Sequence, residues 1–559
     1  MQTRLPPVLD NGPPGPHTAG MRELLAQLRD DLIQRRIESG LARVNANRAL
    51  VCNLEIRSPE AAPLVGYLAQ WEDIGGSGGE FVAGLIGLFP KKSRLDLPLI
   101  GYIHLRMAEG FVAMAEENFE DAARHFEFVG RLDEDIGDTE VVAIANFWIA
   151  RCLRQQGRYD DALAYTEKAR RLALDAGYEK VGAVFQVLES WLVFQKGKLK
   201  EAARILEQAE AVLNQTDDYV TRGNIQSAYG RIAQREGKYA RALERFDRAI
   251  AEYKKRDAQH KNLARTLVNT AFVKRLIAIR LQKKVDREAR RRQAEPGLAR
   301  PAGQPGSDRA RIAEVRDAAF AELAEAFAIA SRRHNHRIMG AVHINRALLY
   351  LDGGELDQAA VEAAEAFRLA REKADFILMA RARILAAMVE NTKFEEQIEE
   401  TDDPNRHAER ADEFARDAVE YARRTQNGRL LARAYICQGL VLSNNFFDNA
   451  DAARRCCESA SALIGAEGHE YIWEELQELR ARVVDKSHIE TVLQEWSQGL
   501  VRGKSFQQIT DEFAALVIPK VWEREGRKVA RVAAKLSISP KKVRRVLQAA
   551  GLLGKSESA

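Results

Sequence analysis

The sequence predicts an all-α protein with two parts, a long solenoid of helix hairpins and a small C-terminal module of three helices. Three observations lead to this fold class. Glycine, aromatic and alanine positions recur every 40 residues over much of the chain, as in stacked supersecondary units. No segment has the pattern of a parallel sheet. Near the C-terminus, two short amphipathic helices flank a tight turn and carry a concentration of positive charge.

Length and composition limit the class of protein. At 559 residues the chain suffices for several ordinary domains or for one repeat array. No apolar run approaches the ~20 residues of a membrane-spanning helix. The five cysteines are scattered without the spacing of a zinc site, which fits reduced thiols in a cytoplasmic protein. We therefore expect a cytoplasmic location and no membrane contact.

The N-terminal region is the least regular. Residues 1–20 are rich in proline and glycine and lack the apolar core of a signal peptide, so we expect a disordered tail. Residues 21–99 are expected to form degenerate helical repeats. Ser58-Pro59 and the glycine-rich segment 75–79 interrupt them.

The regular repeats occupy residues 100–290. A glycine is expected at the turn inside each hairpin, where a positive φ is needed. The ring two residues later packs under the first helix, and an alanine three residues beyond lets the two helices approach. One turn further, Phe126 and Phe246 are expected to fill space toward the next repeat. Glu117 takes the glycine position one period earlier. The signature residues are Gly157, Tyr159, Ala162, Gly197, Ala202, Gly237, Tyr239 and Ala242.

These segments resemble the tetratricopeptide repeat. The likeness rests on Gly-Arg-Tyr-Asp-Asp-Ala (157–162), Gly-Lys-Leu-Lys-Glu-Ala (197–202) and Gly-Lys-Tyr-Ala-Arg-Ala (237–242), and it recurs at Gly354, Leu356, Ala359 and Ala366. The period is longer than the usual ~34 residues, which implies longer helices. The resemblance implies a superhelix whose groove binds a protein or peptide.

The rest of the array is less regular. Residues 291–308 are rich in proline and glycine and are expected to form a flexible loop between the helices Lys261–Arg290 and Arg309–Arg333. Further helical repeats are expected over residues 309–485.

The sequence offers no constellation for catalysis. Gly499 to Ser505 is one residue short of a phosphate-binding loop and no strand precedes it. His334-Asn335-His336 falls at a turn between hairpins and lacks partner ligands. We expect no catalytic residue, no cofactor and no metal site, and hence not an enzyme.

A connector over residues 486–508 leads to the C-terminal module, residues 509–553. Its first helix, Ile509–Glu523, is predicted to place an apolar face against two shorter helices, Val529–Leu536 and Pro540–Ala550. That face is Phe513, Leu516, Val517, Val521 and Trp522. Ala533 at the helix crossing and Ser537 in the turn are small, as a helix-turn-helix requires. The residues expected to fix the angle between the helices are Val532, Leu536, Ile538, Val543, Val546 and Leu547.

Charge distinguishes this module from the rest of the chain. Residues 519–559 carry a net charge of +8, so residues 1–518 carry −4 of the overall +4. A basic appendage on a near-neutral body is typical of nucleic-acid binding.

The segment from Ser537 to Leu552 resembles the Fis-type helix-turn-helix of bacterial enhancer-binding activators, although Ser537 stands where glycine is usual. The resemblance implies a recognition helix in the major groove of double-stranded DNA, with other basic side chains on phosphates. The predicted DNA-binding residues are Arg531, Ser539, Pro540, Lys541, Lys542, Arg544, Arg545 and Gln548. The alternative is a three-helix cap that closes the array.

Together these features predict a bacterial transcription regulator. A tetratricopeptide superhelix would bind a protein or peptide, and the helix-turn-helix would bind DNA, with a homodimer supplying a second half-site. The alternatives are a scaffold that does not bind DNA and an adaptor subunit of a signalling or defence complex.

Overall fold

The computed structural model describes residues 16–76, 79–132, 138–294, 305–396, 405–464, 471–486, 503–549 and 552–553. Every regular element within these ranges is a helix. The chain divides into two compact units, Met1–Leu479 and Arg480–Ala559. Over the described residues, no helix combines the length and the apolar character needed to cross a bilayer.

The first unit begins with five helices that precede the hairpins of the solenoid. They are α1 (Pro16–Ile33), α2 (Ile37–Ala46), α3 (Arg48–Cys52), α4 (Ala61–Gly75) and α5 (Glu80–Gly87), followed by a 3₁₀ turn at Ser93–Asp96. The predicted tail is wrong for residues 16–20, because α1 already begins at Pro16. Proline is well tolerated at a first helical position, and buried Met21 and Leu24 anchor the helix. Residues 1–15 lie outside the described part of the chain.

Eight helix hairpins follow within the described residues. They are α6 (Leu99–Ala115) with α7 (Phe119–Arg131), α8 (Thr139–Gln156) with α9 (Tyr159–Asp175), α10 (Glu179–Gln195) with α11 (Leu199–Leu213), α12 (Tyr219–Arg235) with α13 (Tyr239–Arg256), α14 (Lys261–Ala294) with α15 (Pro305–Arg332), α16 (His336–Asp352) with α17 (Leu356–Glu372), α18 (Phe376–Glu396) with α19 (Asn405–Arg423), and α20 (Gly428–Leu442) with α21 (Ala450–Ile464). A last helix, α22 (Tyr471–Lys486), follows them.

The predicted loop 291–308 is too long at both ends. Helix α14 continues to Ala294, and α15 begins at Pro305, again with proline at a first helical position. Residues 295–304, the middle of the predicted loop, lie outside the described ranges.

The hairpin turns have the predicted backbone. The turn glycines have left-handed φ values of +81° at Gly157, +85° at Gly197, +71° at Gly237 and +77° at Gly354. Glu117 adopts the same conformation, with φ +60°, although it has a side chain. A non-glycine residue there is strained, so the surrounding contacts must hold it in place.

The signature alanines Ala162, Ala202 and Ala242 are fully buried at 0% exposure. The two phenylalanines differ in part from the prediction. A Cβ atom on Gly110 would lie 2.6 Å from the Phe126 ring, and one on Gly230 would lie 2.5 Å from the Phe246 ring. Each ring thus packs on the first helix of its own hairpin as well as toward the next repeat.

The solenoid curls until distant hairpins touch. The backbone amide of Gln426 donates to the carbonyl of Gly157 at 2.8 Å. Arg333 Nη1 donates to the carbonyl of Gly76 at 2.6 Å. Through these bonds, turns early in the array support the loops before α16 and α20.

The second unit contains α23 (Phe506–Arg524), α24 (Val529–Leu536) and α25 (Pro540–Ala549). Its core consists of Ala514, Ile518, Trp522, Val532, Ala533, Val543, Val546 and Leu547, with Val521, Leu536 and Ile538 packed against it. The residues predicted to fix the angle between α24 and α25 therefore do lie in the core. Ser537 has φ +52°, as a tight turn requires.

The predicted core face of α23 is wrong in part. Phe513 is 49% exposed, whereas its neighbour Ala514 is buried. The buried positions are spaced four residues apart at Ala514, Ile518 and Trp522, which turns the helix by one residue relative to the prediction. Val517 is only partly buried, and the side chain of Leu516 lies outside the description.

Candidate functional site

The concave face of the first unit encloses a cavity of about 1040 Å³. Its walls come mainly from the first helix of successive hairpins, from α8 through α20. Pockets for small molecules span roughly 300–1,000 Å³, so this volume suits an extended ligand.

The lining follows the same period as the fold. Six residues before each turn glycine stand Arg151, Trp191 and Arg231, and all three line the cavity. Residues one helical turn apart share a face, so Arg154 and Phe194 line it as well. Sequence reasoning missed these residues because they vary between repeats. The available signal was their constant distance from the glycines.

The cavity is strongly basic. Within the described residues, thirteen arginine and lysine side chains line it against five aspartates and glutamates. Residues 1–518 as a whole carry a net charge of −4, so the positive excess is local to the groove.

Four of these arginines, each on the first helix of a hairpin, lack an acidic partner. Other lining arginines are paired: Arg337 is 2.6 Å from Asp375, and Arg433 is 3.0 Å from Glu475. In contrast, no carboxylate of the described residues lies within 4.0 Å of the guanidinium groups of Arg154, Arg231, Arg265 and Arg381. This arginine cluster comprises Arg154 on α8, Arg231 on α12, Arg265 on α14 and Arg381 on α18.

The members of the arginine cluster repel one another. Burial, followed by repulsion from Arg265, lowers the pKa of Arg231 to about 10. Burial and then repulsion from Arg265 also hold the pKa of Arg154 well below its ordinary value. Desolvation inside the groove is the main cause of the lowered pKa of Arg265 and of Arg381, although the Arg265 side chain is itself exposed to the groove. The side chains remain charged at neutral pH, so the groove presents positive charge without a counter-ion from the protein.

Aromatic rings supply part of the compensation. The guanidinium carbons of Arg154 and Arg231 lie 5.2 and 5.5 Å from the centroid of the Trp191 ring. Arg235 lies 3.6 Å from the centroid of Phe194, and Arg231 lies 4.9 Å from it. Such cation–π contacts contribute roughly 0.5–2 kcal/mol each.

Side-chain amides complete the lining. Asn224 accepts hydrogen bonds from the amide of Asn262 and from the hydroxyl of Tyr253, each at 3.0 Å. Each carboxamide has both donors and an acceptor, as a peptide group does. The other lining amides are Gln70, Gln155, Gln195, Gln234, Asn269, Asn335, Asn345 and Asn427.

The histidine cluster lies at the predicted turn. Asn335 caps α16 by accepting from the amide of Ile338 at 2.9 Å. His336 bonds to Glu117 through Nδ1, and its Nε2 lies 3.4 Å from Asp375. Among the described residues, no group of His, Cys, Asp or Glu side chains is placed to hold a metal ion. Most of the weak phosphate-loop match, residues 499–502, lies outside the described ranges.

The predicted DNA-binding residues lie on the solvent side of the second unit. Ser539 Oγ accepts from the amide of Lys542 at 3.2 Å and so caps α25. Lys542 is partly buried, and Arg545 lies 3.5 Å from Asp511 on α23. The other predicted contacts are exposed: Arg531, Ser539, Pro540, Lys541, Arg544 and Gln548.

Comparison with known proteins supports the repeat fold. Residues 140–215 match the family model described as tetratricopeptide repeat. A Rap protein complexed with Competence and Sporulation Factor is similar at 12% identity and a TM-score of 0.50, covering 73% of this chain and 98% of that one.

Two further solved structures show weaker likeness. The apo quorum sensor NprR from B. thuringiensis has 14% identity and a TM-score of 0.46, covering 71% of this chain and 99% of that one. The human IFIT1 dimer with m7Gppp-AAAA has 13% identity and a TM-score of 0.44, covering 80% and 95%. No curated protein matches the sequence. The first unit is thus a helical solenoid of tetratricopeptide type, and residues 140–215 match the repeat itself.

Proposed function

We propose that this protein is a regulator of transcription. Its superhelix binds a peptide or a protein segment in the concave groove, and its C-terminal unit binds double-stranded DNA as a helix-turn-helix. The observation that carries the proposal is the pairing of a large lined groove in one unit with an exposed basic helix in the other. We assign it a binding role and no reaction of its own.

The geometry of the second unit supports the DNA-binding part. The buried residues of α25 are Val543, Val546 and Leu547, so its other positions are available to a ligand. Those positions include Lys541 and Arg544. Arginine and glutamine on a recognition helix can pair with guanine and adenine edges in the major groove. One such helix reads a single half-site, so we propose that the protein acts on DNA as a dimer.

Salt-dependent DNA binding tests the proposal. Each phosphate contact contributes about −0.9 to the slope of log K against log salt, measurable between about 50 and about 200 mM. We expect Lys541→Ala/Arg544→Ala to weaken binding to genomic fragments and, if both contact phosphates, to make the slope shallower by about 2. The matched control is Arg204→Ala/Arg241→Ala, because both arginines are exposed on second helices of the solenoid.

The proposal would be contradicted if the protein did not bind DNA at low salt. It would also be contradicted if Lys541→Ala/Arg544→Ala and the wild type bound DNA with equal affinity. It would instead favour a scaffold in which the three helices only cap the array. Sedimentation of the protein with DNA gives the stoichiometry of the complex.

A further inference from the structure

We infer that the groove of the first unit selects an acidic peptide, whose carboxylates pair with the arginine cluster formed by Arg154, Arg231, Arg265 and Arg381. This inference rests on the proposed function, since it names the chemistry of the partner that the groove takes. It goes further in assigning four particular residues to recognition of negative charge.

The first argument is the lack of internal compensation. Arg154, Arg231 and Arg381 are partly buried, and Arg265 is exposed to the groove. Charged groups drawn partly out of bulk water are normally paired, because a carboxylate partner offsets the lost hydration. The four arginines come from four different hairpins yet face one cavity, and none has a carboxylate partner among the described residues. Each planar guanidinium can bind a carboxylate through two hydrogen bonds. A ligand with several carboxylates would supply the missing charge.

The second argument distinguishes a peptide from a nucleic acid. Proteins that bind single strands usually offer free aromatic faces on which bases stack. Here guanidinium groups already cover rings of the groove: Arg235 lies 3.6 Å from the Phe194 centroid, and Arg151 lies 4.0 Å from the Trp148 centroid. Trp191 lies between two members of the arginine cluster. These rings position arginines and are poorly placed to stack on bases.

The third argument comes from the amides. Side chains such as Gln155 and Asn345 line the same cavity as the arginine cluster. Gln155 Oε1 already accepts from Arg337, and Asn345 Nδ2 already donates to the carbonyl of Ala341. The remaining groups are the Gln155 N–H donors, which suit a peptide C=O, and the Asn345 oxygen, which suits a peptide N–H. Apolar lining residues, including Phe185 and Val184, give surface for its uncharged side chains. The groove therefore has arginines for the carboxylates of the peptide, amides for its main chain and apolar residues for its uncharged side chains.

A random decapeptide library gives the test. The full-length protein is immobilised, and the bound peptides are sequenced by mass spectrometry. We expect enrichment of Asp and Glu on the wild type and loss of that enrichment on Arg231→Gln/Arg381→Gln. For one enriched peptide, each lost arginine–carboxylate pair should weaken the dissociation constant about tenfold or more. Arg204→Gln/Arg241→Gln, on the outer helices, should retain both enrichment and affinity.

Folding is controlled separately. Loss of mutual repulsion raises the thermal unfolding midpoint of Arg231→Gln/Arg381→Gln, whereas loss of the Arg231 contacts with Trp191 and Phe194 lowers it. The midpoint is therefore measured, and binding is compared at a temperature where both proteins are folded.

The outcomes separate this inference from the proposed function. If no peptide is retained above bare resin, the groove function itself fails. If peptides are retained without enrichment of Asp and Glu, peptide binding by the groove is supported, but the inference that the groove selects acidic peptides is wrong. In a parallel measurement, labelled single-stranded RNA is titrated onto Lys541→Ala/Arg544→Ala. If RNA binds and that binding depends on Arg231 and Arg381, the inference of an acidic peptide is wrong and the groove binds a nucleic acid.

Discussion

At the scale of single residues, the arginine cluster makes no ion pair with the described residues. Its contacts are those of Arg154 and Arg231 with aromatic rings and one hydrogen bond from Arg265 to Asn262. Arg381 makes no hydrogen bond or ion pair with any described residue, and burial lowers its pKa. Paired arginines such as Arg337, bonded to Asp375 and to the carbonyl of Gln155, hold neighbouring hairpins together. Groups that destabilise the empty protein are characteristic of binding sites, where activity and stability oppose one another.

His336 predicts a pH dependence of stability. Burial lowers the pKa of this imidazole, but hydrogen bonds to Asp375 and then Glu117 outweigh it, and the net pKa is raised above 6.5. A raised folded-state pKa stabilises the protein fully below the unfolded value and loses that contribution as pH rises through the folded value. We expect His336→Asn to lower the urea midpoint markedly at about pH 6 and much less at about pH 9.

The control for this prediction is His334→Asn. His334 is exposed and has φ +49°, a conformation that asparagine tolerates. The urea midpoint of His334→Asn should equal that of the wild type at both pH values. A destabilisation by His336→Asn that is constant, or that grows toward high pH, would show that packing rather than charge is responsible.

At the scale of elements, the hairpins are held together by small residues placed opposite large ones. Gly110 faces Phe126 and Gly230 faces Phe246. In the same registers the intervening repeats have Ala150 with Thr166 and Ser190 with Leu206. The side chain on the second helix is therefore smaller than phenylalanine where the first helix has a side chain in place of glycine, as close packing requires.

Gly230→Ala should reveal this constraint. The new Cβ would lie 2.5 Å from the Phe246 ring, which is fully buried and has no space to move. Overpacking of this kind destabilises by about 1–3 kcal/mol, more than the gain in helix propensity of up to ~1 kcal/mol. We expect a lower midpoint in thermal or urea unfolding.

The matched control is Gly84→Ala on α5, where a Cβ meets nothing within 4 Å. There the helix-propensity gain acts alone, and stability should rise. If both substitutions had the same effect, close packing at Gly230 would not be what selects glycine.

The elements also show what the sequence could predict. Residues that repeat unchanged, such as Gly157 and Ala162, report the geometry that every hairpin shares, and they predicted the turns and the contacts correctly. Residues that vary in one register, such as Arg151 and Trp191, line the cavity, and the sequence of a single chain gives no rule for their identity. The predicted core face of α23 was wrong by one position because Phe513 is apolar but exposed. Hydrophobicity alone does not separate a core residue from an exposed one.

At the scale of the whole molecule, a regulator requires that the two units affect one another. Thermodynamic linkage requires the effects of the two ligands on each other's affinity to be reciprocal, whichever contacts transmit them. If the peptide changes the affinity for DNA by some factor, DNA must change the affinity for the peptide by the same factor. Coupling free energies of about 1–3 kcal/mol correspond to roughly 5- to 150-fold.

We therefore expect a saturating acidic peptide to change the dissociation constant of the DNA complex by at least about fivefold, with the reciprocal change in peptide affinity. Anisotropy titrations with labelled DNA and with labelled peptide measure the two factors independently. Arg231→Gln/Arg381→Gln should bind DNA as the wild type does without peptide but should no longer respond to it. Lys541→Ala/Arg544→Ala should still bind the peptide. Equal DNA affinity with and without peptide would mean that the two units bind independently, and the protein would then be a tether between peptide and DNA rather than a switch.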